Sequence, residues 1–165
     1  MTSEPDLSAG QVAFLLSQVG AHVAGQFAQR LEQLDTTPAT AGLLRLLAGN
    51  PGMSQQQLAT ALGTAPSQVV GLVDGLQSAG LAERRPHPTD RRTHAVHLTD
   101  AGTRRLREIG RVARDHGKAQ LGSLSEAQLR QLGATLTALA AAHGLVEHVH
   151  PGYQQLRGRR TRARD

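Results

Sequence analysis

Between Leu81 and Gly102 the chain reads LAERRPHPTDRRTHAVHLTDAG, and no other stretch constrains the fold as strongly. Leu81 to Arg85 and Thr93 to Leu98 have strand character. The return segment alternates, with Val96 and Leu98 on one face and Ala95 and His97 on the other. Pro86 and Pro88 confine the tip, because proline removes a donor from the ladder. Thr99 then follows as a helix N-cap. Two strands alone bury too little to stand in water, so this hairpin has to pack against the helices around it.

The preceding segment supplies two of them. Ser54 with Gln57 three residues on is a capping box, and Met53 and Leu58 occupy the staple positions beside it. Leu58, Ala59 and Leu62 form the inner face of this helix, and Gly63 ends it. The next helix starts between Thr64 and Pro66 and runs to about Ser78, with Val69, Leu72, Val73 and Leu76 inward; Gly80 stops it. Upstream, Val12, Leu16, Val19, Val23, Phe27, Leu31 and Leu34 recur in steps of three or four, which predicts one long amphipathic helix from Ser8 to Leu34. A second helix runs from Pro38 to about Ala48, with Leu43, Leu44, Leu46 and Leu47 on a broad apolar face. Downstream of Thr99 a helix of about 20 residues turns Leu106, Ile109, Val112 and Ala113 inward. Ser125 and Gln128 make a second capping box, stapled by Leu124 and Leu129, ahead of Leu132, Leu136 and Leu139. The order α-α-α-α-β-β-α-α describes a mainly α chain with a small β-hairpin wing. It is a winged helix-turn-helix flanked by N- and C-terminal helices that carry more apolar surface than one small core requires.

Charge narrows the partner. Residues 1–83 carry 2 basic and 6 acidic side chains, whereas residues 84–165 carry 16 and 7. Such asymmetry suits a polyanion. Of the basic residues 17 are arginine and only Lys118 is lysine, and arginine suits phosphate forks and narrow minor grooves. A GC-rich genome accounts for part of that ratio but not for where the charges sit. Aromatics are only 2% of the chain, which argues against modules that stack single-stranded bases. Cysteine is absent, so thiol switches, disulfides and thiolate metal sites are excluded. The acidic, polar N-terminus does not read as a signal peptide and no apolar run reaches the ~18 residues of a membrane span; a cytoplasmic location without membrane partners is expected.

Two segments carry a family resemblance. Asp90-Arg91-Arg92 followed by Val96-His97-Leu98-Thr99-Asp100-Ala101-Gly102 resembles the wing of the MarR family of bacterial winged-helix transcription regulators. Leu72-Val73-Asp74-Gly75-Leu76 and Gly80-Leu81-Ala82-Glu83-Arg84 resemble the end of that family's recognition helix and the strand after it. The helical framing extends the resemblance to about residues 8–145. It implies a homodimer on double-stranded DNA, at a pseudo-palindromic operator, acting as a repressor that a small-molecule effector of the aromatic acid or phenol type releases. Residues 1–7 are then a disordered leader, 8–37 an N-terminal dimerisation helix, 38–100 the DNA-binding domain, 101–150 C-terminal dimerisation helices and 151–165 an Arg-rich tail. One departure matters: where the family often carries Thr-Arg before Leu-Val-Asp, this chain has Val70-Gly71, so base reading shifts to neighbouring residues.

On the recognition helix the outward positions are Ser67, Gln68, Val70 and Gly71. Gln68 can pair bidentately with adenine N6 and N7, and Val70 can meet a thymine methyl; an ordinary solvated glutamine is the alternative. Gln55 and Gln56 head the preceding helix, where free N–H groups and the dipole favour a phosphate, or they are plain capping residues. The wing offers Arg84, Arg85, His87, Arg91 and Arg92. The resemblance implies that Arg92 enters the minor groove with Asp90 orienting it. The tail, Arg157 to Arg164, adds nonspecific phosphate contacts or is inert. The candidate effector contacts are His22, Leu43, Leu47, Arg105 and Ile109. His143, Glu147, His148 and His150, with His116 nearby, are metal-competent residue types, but surface or interface histidines are the expected reading, so neither a metal nor any other cofactor is assigned. No catalytic motif is present. A nonspecific architectural DNA-binding protein and a His-based metal-responsive regulator are the alternatives.

Overall fold

A computed structural model describes residues 7–86 and 94–145. It contains helices α1 (Ala9–Glu32), α2 (Pro38–Gly49), α3 (Gln55–Leu62) and α4 (Pro66–Ser78), strands β1 (Ala82–Pro86) and β2 (His94–Leu98), and helices α5 (Asp100–Leu121) and α6 (Glu126–Ala142). Three of the helices begin with a reciprocal capping box. In each, a serine hydroxyl accepts from the N3 amide and the N3 glutamine accepts from the serine amide: Ser8 with Gln11, Ser54 with Gln57, and Ser125 with Gln128. Gly63 takes the left-handed conformation (φ 59°) at the end of α3, which folds α4 back across it at no Cβ cost.

One core joins α1 to α5 through the hairpin. Leu43, Leu44 and Leu47 of α2, Leu58 and Leu62 of α3, Val69, Val73 and Leu76 of α4, and Val96 of β2 are buried, and Leu31 and Ile109 close it from α1 and α5. Only the C-terminal part of α1 takes part. Val12, Leu16 and Val19, on the same predicted stripe, stand about half exposed. Helix α6 buries none of its residues.

β1 and β2 pair antiparallel in the register Ala82–Leu98 to Pro86–His94. Ala95 is 1% exposed although it faces away from Val96. A third segment runs along the other edge of β2: Ser54 bridges Ala95, the Gly52 N–H donates to Val96 O at 3.1 Å, and the Val96 N–H donates to Met53 O at 2.9 Å. β2 is therefore an inner strand, hydrogen-bonded on both edges, and the hairpin is anchored to the entrance of α3.

The base of the wing is tied to α5. Thr99 caps that helix by accepting from the Gly102 amide at 3.0 Å, and its own hydroxyl donates to Gly80 O at 2.7 Å. Its amide donates to Leu81 O at 3.1 Å. Arg105 ties α5 to the other side, donating to Leu34 O and to Thr36 Oγ1 at the turn after α1, where a cation also meets the negative end of the α1 dipole.

Candidate nucleic-acid interface

The α3–Gly63–α4 unit leaves one side of α4 free. Val69, Val73 and Leu76 face the core, while Ser67, Val70 and Gly71 are exposed and Gln68 is half-buried. A Cβ built at Gly71 or Gly75 would meet nothing within 4 Å, so this side of α4 is open to a close approach. Of the four residues expected to point outward from helical spacing, Ser67, Val70 and Gly71 are exposed and Gln68 is partly covered. Gln56 is exposed and Gln55 half-buried at the head of α3.

Arg84 behaves differently from a free wing cation. It donates to Asp74 Oδ1 at 2.5 Å and to Gln77 Oε1, both in the C-terminal half of α4. With the Gln55 amide oriented to satisfy both groups, Gln55 Oε1 accepts from Arg84 Nη2 at 2.7 Å and from Nε at 3.0 Å. Its side chain is 22% exposed. One planar guanidinium therefore joins α3, α4 and β1, a use that its rigid fork of donors suits. Sequence spacing carries no sign of this tie, because Gln55, Asp74, Gln77 and Arg84 come together only when the hairpin folds against the two helices. Arg85 pairs with Glu83 on its own strand and is more exposed than Arg84. His87, Asp90, Arg91 and Arg92, and Pro88 beside them, lie outside the described residues, as do Glu147, His148, His150 and the tail arginines. Among the described residues no group of three or more His, Asp or Glu could hold a metal ion, and no described helix is long and apolar enough to cross a membrane.

A second cluster was missed by the sequence reading. Arg104, Arg107, Arg111, Arg114 and Lys118 are all exposed on α5, at spacings of three and four that place them on one face. The spacing was legible. They form a cationic stripe opposite the helix's buried side.

The expected effector residues divide. A cavity of about 740 Å³ opens between α1, α2 and α5, lined by Val23, Phe27, Arg45, Leu106, Ile109 and His116 among others. Ile109 reaches it. Leu43 and Leu47 sit at 0% and 1% exposure inside the core, Arg105 serves the α1 turn, and His22 is exposed outside the lining. His116, considered in the sequence only beside the distant histidines, is 7% exposed. Neither of its ring nitrogens has a hydrogen-bond partner. Its ring lies 5.4 Å from that of Phe27 and tilted to it by 36°.

Residues 34–93 match the sequence model of the MarR family. A curated relative from Thauera aromatica, described as a transcriptional regulatory protein for the hcr operon, is 33% identical over 121 residues, which span 73% of each chain. CouR from Rhodococcus jostii RHA1, solved with p-coumaroyl-CoA, is 28% identical with a TM-score of 0.66, over 82% of this chain and 96% of that one. The repressor CouR bound to a 23-mer DNA duplex is 28% identical with a TM-score of 0.68, over 83% and 99%. Wild-type MarR from Escherichia coli, in its apo form, shares the fold at 20% identity, with a TM-score of 0.70 over 82% and 98%.

Proposed function

Because this chain belongs to the MarR family of winged-helix transcription regulators, we propose that it is a homodimeric, sequence-specific repressor that a small-molecule effector releases from a pseudo-palindromic operator. The observation that carries the DNA reading is the face of α4 with Ser67, Val70 and Gly71 exposed and Gln68 beside them, joined to the base of the wing by Arg84. A helix so presented fits the major groove, and the wing arginines fit the adjacent backbone and minor groove. The repressor CouR, bound to DNA, has this fold.

The test is fluorescence anisotropy on duplex DNA from upstream of the protein's own gene, against scrambled DNA of equal length at about 150 mM salt. Sequence-specific regulation predicts native DNA bound about 10³-fold tighter or more, and Arg92→Ala is expected to weaken that binding at least tenfold while the dimer persists. Equal affinity for both duplexes would favour an architectural role instead.

Dimerisation is supported by the exposed apolar faces of α1 and α6, which no described element of the same chain covers. A single winged helix reads few base pairs, so a two-fold pair gains both affinity and specificity.

The effector reading is supported by the cavity beside His116. An interior imidazole with both nitrogens unpartnered costs on the order of 1–3 kcal/mol, a cost that a ligand bearing a hydrogen-bonding group would relieve. Phe27 offers a ring face and the exposed Arg45 a cation toward an anionic ligand. The p-coumaroyl-CoA complex of CouR shows that a protein of this fold holds an aromatic acyl ligand. Benzoate, phenol and p-coumaroyl-CoA are the first panel. At least one is expected to lower the affinity for native DNA tenfold or more. In His116→Leu that response disappears while DNA affinity is retained, and stability to urea rises by about 1 kcal/mol. A His116→Leu protein that still responds would remove His116 from the site.

A further inference from the structure

Gln68 is the third residue of α4, and what its amide can read depends on a neighbour outside the helix. In α1, α3 and α6 a glutamine at this same N3 position turns its carbonyl oxygen back to the amide of a capping serine. The N-cap of α4 is Ala65, which makes no side-chain cap bond. Thr64 takes the glutamine instead. Thr64 is 9% exposed, and its amide donates to Ala59 O at 3.1 Å. A hydroxyl buried with it requires an acceptor, and it donates to Gln68 Oε1.

The consequence is chemical. A glutamine with both ends free matches adenine, accepting from N6 and donating to N7. With its oxygen held by the Thr64 hydroxyl, Gln68 has one lone pair left on that oxygen and keeps both N–H donors to offer a base. Guanine shows two adjacent acceptors in the major groove, O6 and N7, whereas adenine sets a donor beside its one acceptor, thymine shows a single acceptor beside its methyl group and cytosine shows only a donor. No side chain at Gly71 competes for the same base edge. We infer that Thr64 is a positioning residue that commits Gln68 to reading acceptors, so that α4 selects guanine rather than adenine at one base pair of each half-site. The inference rests on the DNA-binding reading above and goes beyond it in naming the base class and the residue that sets it.

The experiment is in vitro selection from a random-sequence duplex library with the full chain and three variants. The relevant base pair is the one at which Gln68→Ala loses its preference. There the native protein is expected to favour guanine over adenine about tenfold. Thr64→Val keeps the shape and removes the hydroxyl; it is expected to reduce the ratio to about twofold or invert it, leaving other positions of the site unchanged. Thr64→Ser restores the hydroxyl and is expected to restore the native preference, which a purely structural role for Thr64 would not require. Adenine preferred by the native protein at that base pair, or an unchanged guanine preference in Thr64→Val, overturns the inference. A selected site indifferent to Gln68→Ala overturns it while leaving the DNA-binding reading intact; selection that enriches no sequence overturns both.

Discussion

Gly102→Ala is expected to lower the unfolding free energy by roughly 3 kcal/mol, measured by urea denaturation, and to abolish DNA binding in the fraction that remains folded. Helix propensity alone predicts the opposite, since alanine in a helix is favoured over glycine by about 1 kcal/mol. The contact outweighs it. A Cβ on Gly102 would lie 1.9 Å from Leu81 O and 3.0 Å from Leu81 C. Both are backbone atoms, so no rotamer change relieves the clash; α5 or the wing must move. Leu81 O also accepts from the Thr99 amide, and Thr99 holds Gly80 O, so the displacement would break the junction that aims the wing. Gly117→Ala is the control. It lies in the same helix with nothing within 4 Å of its Cβ position, and it is expected to be neutral or stabilising by up to about 1 kcal/mol. Equal stabilities for the two variants would remove the close approach as the reason for glycine at position 102.

The second large effect concerns assembly. On the proposed homodimer, Leu132→Glu with Leu136→Glu is expected to yield monomer in sedimentation velocity and to weaken binding to native DNA at least 100-fold, since a two-fold site would then engage one lobe at a time. Leu129, Leu132, Leu136 and Leu139 are 36–44% exposed on α6, and Val12, Leu16 and Val19 are 49–55% exposed on α1. Two leucines per chain make four per dimer. About two fifths of each of these side chains is left to bury on association, so at about 1.5–3 kcal/mol for full burial the four contribute roughly 2.4–5 kcal/mol, about two to three powers of ten in the dimer Kd, and a carboxylate carried into the interface adds to the cost. Helical content by circular dichroism should persist, because α6 contributes no buried residue to its own chain's core. A double variant that stays dimeric would place the interface elsewhere.

Features governed by neighbouring residues were legible in the sequence. The capping boxes at Ser54 and Ser125, the glycine stop at Gly63, the strand pair and the Thr99 cap are decided within about one helical turn or across one hairpin, where backbone sterics and local hydrogen bonds act. The outward set Ser67, Gln68, Val70 and Gly71 followed from helical period alone. Site residues that depend on distant partners were read less well. Arg84 looked like a free wing cation and is a three-element tie. Arg105 looked like a ligand contact and holds the turn after α1. Leu43 and Leu47 were placed at the effector junction and lie in the core, because α2 is enclosed on more than one side.

The sequence by itself therefore determined the helices, the caps at Ser54, Thr99 and Ser125, the hairpin and the inward face of α4, since periodicity and capping are written in adjacent residues. Tertiary structure alone decided that β2 is covered on both edges, that Gly102 must lack a side chain against Leu81, and that His116 is shut away beside Phe27 without a partner. Each of these depends on segments far apart in the chain meeting within a few ångströms, and burial, steric contact and hydrogen-bond satisfaction are properties of that meeting rather than of any one residue.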